Sequence, residues 1–202
     1  MKKTALLTVI IALLITVFPI NASAASTHTV VRGDTMWRIA VKYEVGLSEI
    51  IGANPHIANP ALIYPGDVIN IPSVDSSVLA YEKEVVRLVN VERSKNGLSP
   101  LTQDWELCRV ARYKSQDMRD RNYFSHTSPT YGSPFQMMKS FGISYKSAGE
   151  NIAKGYKTPA AVVNGWMNSS GHRANILNSS FTHIGVGFVS DGYYWTQMFI
   201  SK

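Results

Sequence analysis

Three side chains stand out for the chemistry they can do: His126 in Phe124-Ser125-His126, Glu150 in Gly149-Glu150-Asn151, and His172 in Ser169-Ser170-Gly171-His172. An imidazole exchanges a proton near neutral pH or ligates a metal, and a carboxylate beside it can orient it, accept its proton or ligate with it. All three fall in polar, glycine-flanked stretches that read as turns, where ligand-handling groups are commonly carried on a rigid scaffold. His126 lies 24 residues before Glu150 and His172 lies 22 after it, so no single helix or hairpin can unite them. Only a tertiary fold can. By residue type alone such a trio is more often three unrelated surface groups.

The elements that must do the positioning are legible from periodicity. A helix from Val78 has Tyr81, Val85, Leu88 and Val89 on one face and Glu82, Lys83, Arg87 and Glu92 on the other, with Asn96-Gly97 as its stop. Gln103 to about Asp120 forms a second, with Trp105, Cys108, Ala111 and Met118 inward. Ser133-Pro134 opens a third, with Met137, Met138 and Phe141 as its face, and Thr158-Pro159 a fourth to about Met167. Asp191-Gly192, between Ile184–Val189 and Tyr193–Ile200, signals a hairpin, and a strand near Ser147–Ile152 completes a small antiparallel sheet. Helices gathered before and between few strands predict an α+β class.

Phe124-Ser125-His126, Gly149-Glu150-Asn151-Ile152, Trp166 to Leu177, Gly185-Val186-Gly187-Phe188 and Tyr194-Trp195-Thr196-Gln197 together resemble the bacterial branch of the CAP superfamily, from about Tyr81 to Lys202. These are the cysteine-rich secretory, antigen 5 and pathogenesis-related 1 proteins. The resemblance implies an α-β-α sandwich with a cleft of two histidines and two acids above the sheet. His126, Glu150 and His172 match three of that tetrad. The second acid has no match, because the chain reads Trp166-Met167-Asn168-Ser169 there.

These three are the candidate catalytic residues and the candidate metal ligands. Two imidazoles and a carboxylate can hold a divalent ion, zinc first, with nitrogen at about 2.0–2.1 Å and an open position for water. A metal-bound water also needs a general base, and the chain offers no replacement if Glu150 is a ligand or an orienter. Ser125, Ser169 and Ser170 sit in no activated-nucleophile motif. The leading reading is a binding module for a lipid, glycan, peptide or protein; the alternatives are a metal-dependent hydrolase of peptidoglycan or its peptides, and purely structural histidines. Arg173 and Asn175 are read as pinning the chain after His172, and Gln197 as facing the cavity.

Residues 27–73 form a second unit. His28–Val31 reads as a strand, Thr35–Tyr43 and a stretch from Ser48 as helices, and Val68–Pro72 as a returning strand, a βααβ order whose small core should rest on Ile39, Ile50, Leu62 and Ile69. Val31-Arg32-Gly33-Asp34-Thr35-Met36-Trp37-Arg38-Ile39-Ala40, Asn54-Pro55 and Leu62 to Pro72 resemble the LysM module. That implies binding of N-acetylglucosamine polysaccharide, chiefly peptidoglycan, between two loops: Gly33, Asp34, Thr35 and Met36 on one, Asn59, Ile63, Tyr64 and Pro65 on the other. Gly33 and Gly66 would let a sugar approach the main chain. Trp37, inside the helix pattern, is read as packing rather than sugar stacking, and His28, His56 and His183 as surface residues.

At the amino end, Lys2-Lys3, the apolar run Ala5–Phe18 and Ala22-Ser23-Ala24 read as a cleavable export signal over residues 1–24, too short to span a bilayer. Its removal takes the formal charge from +6 to +4, a loss of two lysines. That balance suits an anionic wall or lipid surface. Nucleic acid is the weaker reading and is not expected as a partner, because the cations are dispersed; Lys83, Arg87 and Arg93 look like one solvated helix side. With a single cysteine, Cys108, no intrachain disulfide forms. Residues 74–79 are serine-rich and read as a flexible joint before the domain at 80–202, so the two domains should move semi-independently. The expected location is secreted, on the cell wall or a spore envelope.

Overall fold

The computed structural model describes residues 26–202; the expected export signal over residues 1–24 lies outside the described residues. Among those described, no helix is long and apolar enough to cross a membrane.

The first unit is a two-stranded antiparallel ribbon, β1 (Ser26–Thr29) and β2 (Val68–Ile71), carrying α1 (Met36–Lys42) and α2 (Leu47–Gly52). Thr35 caps α1 by accepting from Arg38 N, and Asn54 ties α2 to β2 by donating to Ile50 O and Asn70 O while accepting from Asn70 N. Val30, Met36, Ile39, Ala40, Ile50, Ile69 and Ile71 form its core. Leu62, expected there, is 53% exposed and Trp37 is 61% exposed. A ribbon and two short helices enclose too little volume to bury every apolar residue the pattern offers. His28, expected at the surface, is buried on β1.

The second unit is a sheet of order β3-β5-β6-β4: β3 (Thr102–Gln103), β4 (Ser147–Lys154), β5 (His183–Val189) and β6 (Tyr194–Ser201). The α4 (Trp105–Asp120) and α5 (Pro134–Ser140) helices cover one face through Leu107, Val110, Ala111, Met137 and Met138. The α3 (Ser76–Lys95), α6 (Pro159–Met167) and α7 (Ser170–Ile176) helices cover the other through Val85, Val89, Val162, Trp166 and Ile176. This is the α+β, α-β-α arrangement expected. Residues 103–104 do not begin a helix; β3 pairs parallel to β5, so the sheet is mixed, and Asp104 is the cap of α4. The α4 helix lies unusually close to β5: a Cβ built on Gly187 would stand 2.1 Å from Ala111 C, and one on Gly185 2.3 Å from Leu107 C. The positive φ angles of the β5–β6 turn fall on Gly192 and Tyr193 rather than on Asp191-Gly192.

Polar residues supply the other departures. Glu82, placed on the solvated side of α3, is fully buried and accepts from Arg112 Nε and Nη2 and from Phe188 N. Arg93 is also buried, donating to the carbonyls of Ser99, Ile176 and Asn178. Helical periodicity records which face a residue occupies, whereas an ion pair or a cluster of carbonyls met in three dimensions decides whether a charge can be buried there. The serine-rich joint is shorter than expected, since Asp75 caps α3 by accepting from Ser77 N. The two units also touch: Arg109 Nε on α4 lies 2.7 Å from Glu49 Oε1 on α2.

Candidate functional site

The α4 helix ends at Asp120, and the chain turns back through Tyr123–Thr130 to lay His126 over the edge strand β4. Two buried charges on α4 hold that return. Lys114, with no exposed surface, donates to the carbonyls of Ser125 at 2.8 Å and His126 at 2.9 Å and lies 3.1 Å from the Tyr123 hydroxyl. Asp117 accepts from Tyr123, Ser128 and Thr130 hydroxyls, each at 2.6 Å, and from Arg121 Nε at 3.1 Å. Burial pushes the Asp117 carboxyl up, but those donors outweigh it and hold it below the usual range. Burial lowers the Lys114 ammonium, with Glu150 and Asp117 opposing.

Glu150 stands on β4 opposite Met198 of β6, its side chain 1% exposed, and places Oε1 2.7 Å from His126 Nδ1. An ionised carboxylate can only accept, so Nδ1 carries the proton and Nε2 is left as a free acceptor on a ring 52% exposed. Burial raises the Glu150 carboxyl above its usual range against the pull of the His126 bond and the Lys114 charge. Its other oxygen, Oε2, is buried without a hydrogen-bond partner among the described residues, as is Gln197 Nε2.

His172 is not in a turn but in the first part of the short α7 helix. An amide chain pins that helix to the sheet: Asn175 Nδ2 donates to Asn151 Oδ1 and Glu150 O, and Asn151 Nδ2 to His172 O and Gln197 Oε1. Burial, then repulsion from His126 whenever that ring is protonated, lowers the His172 imidazole below its usual range. His126 and Glu150 are thus joined directly, and His172 reaches them through backbone pinning and through the field of His126. Asn175 does the pinning expected of it; Arg173 is exposed.

Among the described residues, no group of three or more His, Cys, Asp or Glu side chains is disposed to hold a metal ion. The trio does not fit a three-ligand zinc centre, because Oε1 of Glu150 is committed to His126 and Oε2 is enclosed. What the arrangement provides is an oriented imidazole with an outward acceptor and no activated hydroxyl in hydrogen-bonding contact with it. Cys108 is no nucleophile either: burial pushes its thiol up to about 11.

Lys114 and Asp117 were missed as site-building residues. The signal was present, since Lys114 and Ser115 continue the inward stripe of Cys108 and Ala111 at helical spacing.

In the first unit, Gly33–Thr35 and Asn59–Pro65 leave the ribbon at the same end, joined by Val30 N to Asp67 O and Gly66 N to Val30 O. Gly33 has φ +92° and Gly66 +101°. Tyr64 and Pro65 are exposed, Ile63 is half-buried, and Asn59 Oδ1 accepts from Ala61 N. Met36 departs from the expected contact set: its side chain is 3% exposed and belongs to the core, leaving only main chain to offer a ligand.

Residues 86–199 match the model of the cysteine-rich secretory protein family, and 28–72 match the LysM domain. The chain belongs to the CAP family. It is similar to YkwD, an uncharacterised protein of Bacillus subtilis (strain 168), at 69% identity over 130 residues, covering 64% of this chain and 51% of that protein. Among solved structures it resembles an extracellular SCP-domain protein from Bacillus anthracis str. Ames, with a TM-score of 0.60 and 36% identity over 68% of this chain and 47% of that one. SpoIVD-associated factor A of Bacillus subtilis is 46% identical over 46 residues, 23% of this chain and 12% of that protein. The chain spans about half the length of YkwD.

Proposed function

We propose that this protein is exported, holds the N-acetylglucosamine glycan of peptidoglycan through its LysM loops, and presents the His126–Glu150–His172 cleft of its CAP domain as a binding site rather than a catalytic one. Three features favour glycan holding: the LysM match, two glycine turns open to close approach, and apolar side chains beside them, Leu62 at 53% and Tyr64 at 59% exposure, that can floor a sugar ring. A cell-wall or spore-envelope location accords with the extracellular SCP-domain structure it resembles and, for the envelope, with the 46-residue likeness to SpoIVD-associated factor A.

The observation that carries the binding reading of the cleft is the commitment of Glu150. Its accessible chemistry is spent orienting His126, so a hydrolytic water would lack a three-ligand metal to activate it. A lipid or protein group with a hydrogen-bond donor suits the outward His126 Nε2.

The test incubates purified peptidoglycan with the mature protein, with and without Zn²⁺ and with chelator. The protein should co-sediment in every condition and release no new muropeptides, and His126→Ala and His172→Ala should sediment as the parent does. Muropeptide release that needs zinc and both histidines would establish the competing reading, a metal-dependent hydrolase.

A further inference from the structure

We propose that His28 is a positioning residue for glycan binding: its imidazole, held between Tyr43 and Asp34, sets the conformation of the Gly33–Met36 loop. This rests on the reading of that loop and of 59–65 as the glycan site.

His28 is buried in the middle of β1, opposite Ile69. Its Nε2 lies 2.7 Å from Asp34 Oδ2, and its Nδ1 lies 3.1 Å from the Tyr43 hydroxyl, whose ring meets it edge-on at 5.6 Å. The carboxylate can only accept, so Nε2 carries the proton, and Nδ1 then accepts from the Tyr43 O–H. One ring therefore links Tyr43, the C-terminal cap of α1, to the loop that precedes the same helix. The Asp34 oxygen it reaches also accepts from Val31 N at 2.9 Å, closing the turn, while Arg38 Nη1 donates to Gly33 O at 2.6 Å. The bond from His28 holds the Asp34 carboxyl below its usual range, so the acceptor stays ionised.

The consequence is pre-organisation. Gly33, at φ +92°, has conformational freedom that a sugar would otherwise have to freeze, and the His28–Asp34 bond removes it beforehand. A core histidine with no such role would only fill space beside Tyr43. Phenylalanine would do that as well, whereas glutamine keeps an N–H that can reach Asp34.

The full mature chain is titrated with tetra-N-acetylchitotetraose by calorimetry, with amide spectra recorded alongside. His28→Phe should weaken binding by about five- to tenfold, with amide shifts concentrated at 31–36, and His28→Gln should bind within about twofold of the parent. A folded His28→Phe that binds as the parent does overturns the proposal, as does equal weakening in both variants. Should His28→Phe fail to fold, Tyr43→Phe carries the test by removing one hydroxyl: weaker binding with shifts at 31–36 supports the role, and unchanged binding overturns it. Ile63→Asp separates the two claims. Unchanged binding there overturns the loop assignment and this proposal with it, whereas lost binding there beside full binding in His28→Phe overturns the positioning role alone.

Discussion

Replacing Lys114 by methionine tests how the His126 segment is held, at one atom. Methionine fills nearly the same space, so the change removes a buried ammonium and little packing. Lost with it are donations to Ser125 O and His126 O and the contact with the Tyr123 hydroxyl. Hydrogen bonds to a charged group contribute about 1.5–3 kcal/mol each, and the two carbonyls lose their donor. Against that, the desolvation of the ammonium, which already lowers its pKa, is relieved. Glu150 and Asp117 lose the cation that faced them. Two such bonds, less that relief, leave a net loss of about 2–4 kcal/mol in the CAP domain. Urea unfolding followed by tryptophan fluorescence reads it cleanly, because Trp166 and Trp195 are buried in that domain while Trp37 of the LysM unit is exposed. The midpoint should fall with m unchanged, and amide exchange should quicken first at 125–128. A loss below about 1 kcal/mol, or exchange quickened evenly across the domain, would refute the idea that this lysine holds the His126 loop.

Glu150→Gln tests the carboxylate. Its folded pKa is raised above 4.5, so its contribution to stability is fully present below that value and is lost as pH rises through the folded pKa. The parent should therefore lose stability relative to Glu150→Gln as pH rises above the ordinary carboxylate range, measured as the difference in unfolding free energy; a difference constant with pH would refute a raised carboxyl. Gly187→Ala places a methyl 2.1 Å from the Ala111 carbonyl carbon and must push α4 off β5, at a cost of about 3 kcal/mol or more by thermal unfolding, while Gly171→Ala, with open space around it, should cost under about 1 kcal/mol.

Much of this protein could be read along the chain because local physics wrote it there. Thr35, Ser133 and Thr158 announce helix starts through the hydroxyls that cap them, the positive-φ glycines Gly33 and Gly66 mark turns, and the inward stripe of α4 shows in the spacing of Cys108, Ala111 and Met118. Two-unit organisation and the α+β class followed, as did the three residues worth watching. What remained hidden was every decision made by a partner far away in sequence. Glu82 is buried because Arg112 meets it, Arg93 because three carbonyls do, and the two units touch where Glu49 finds Arg109. The site itself is of this second kind. Residue types named His126, Glu150 and His172; only the return of the chain after α4 across β4 and the pinning of α7 to Asn151 set the Glu150 carboxylate against the His126 ring, since whether an oxygen is free or spent depends on who stands 2.7 Å away.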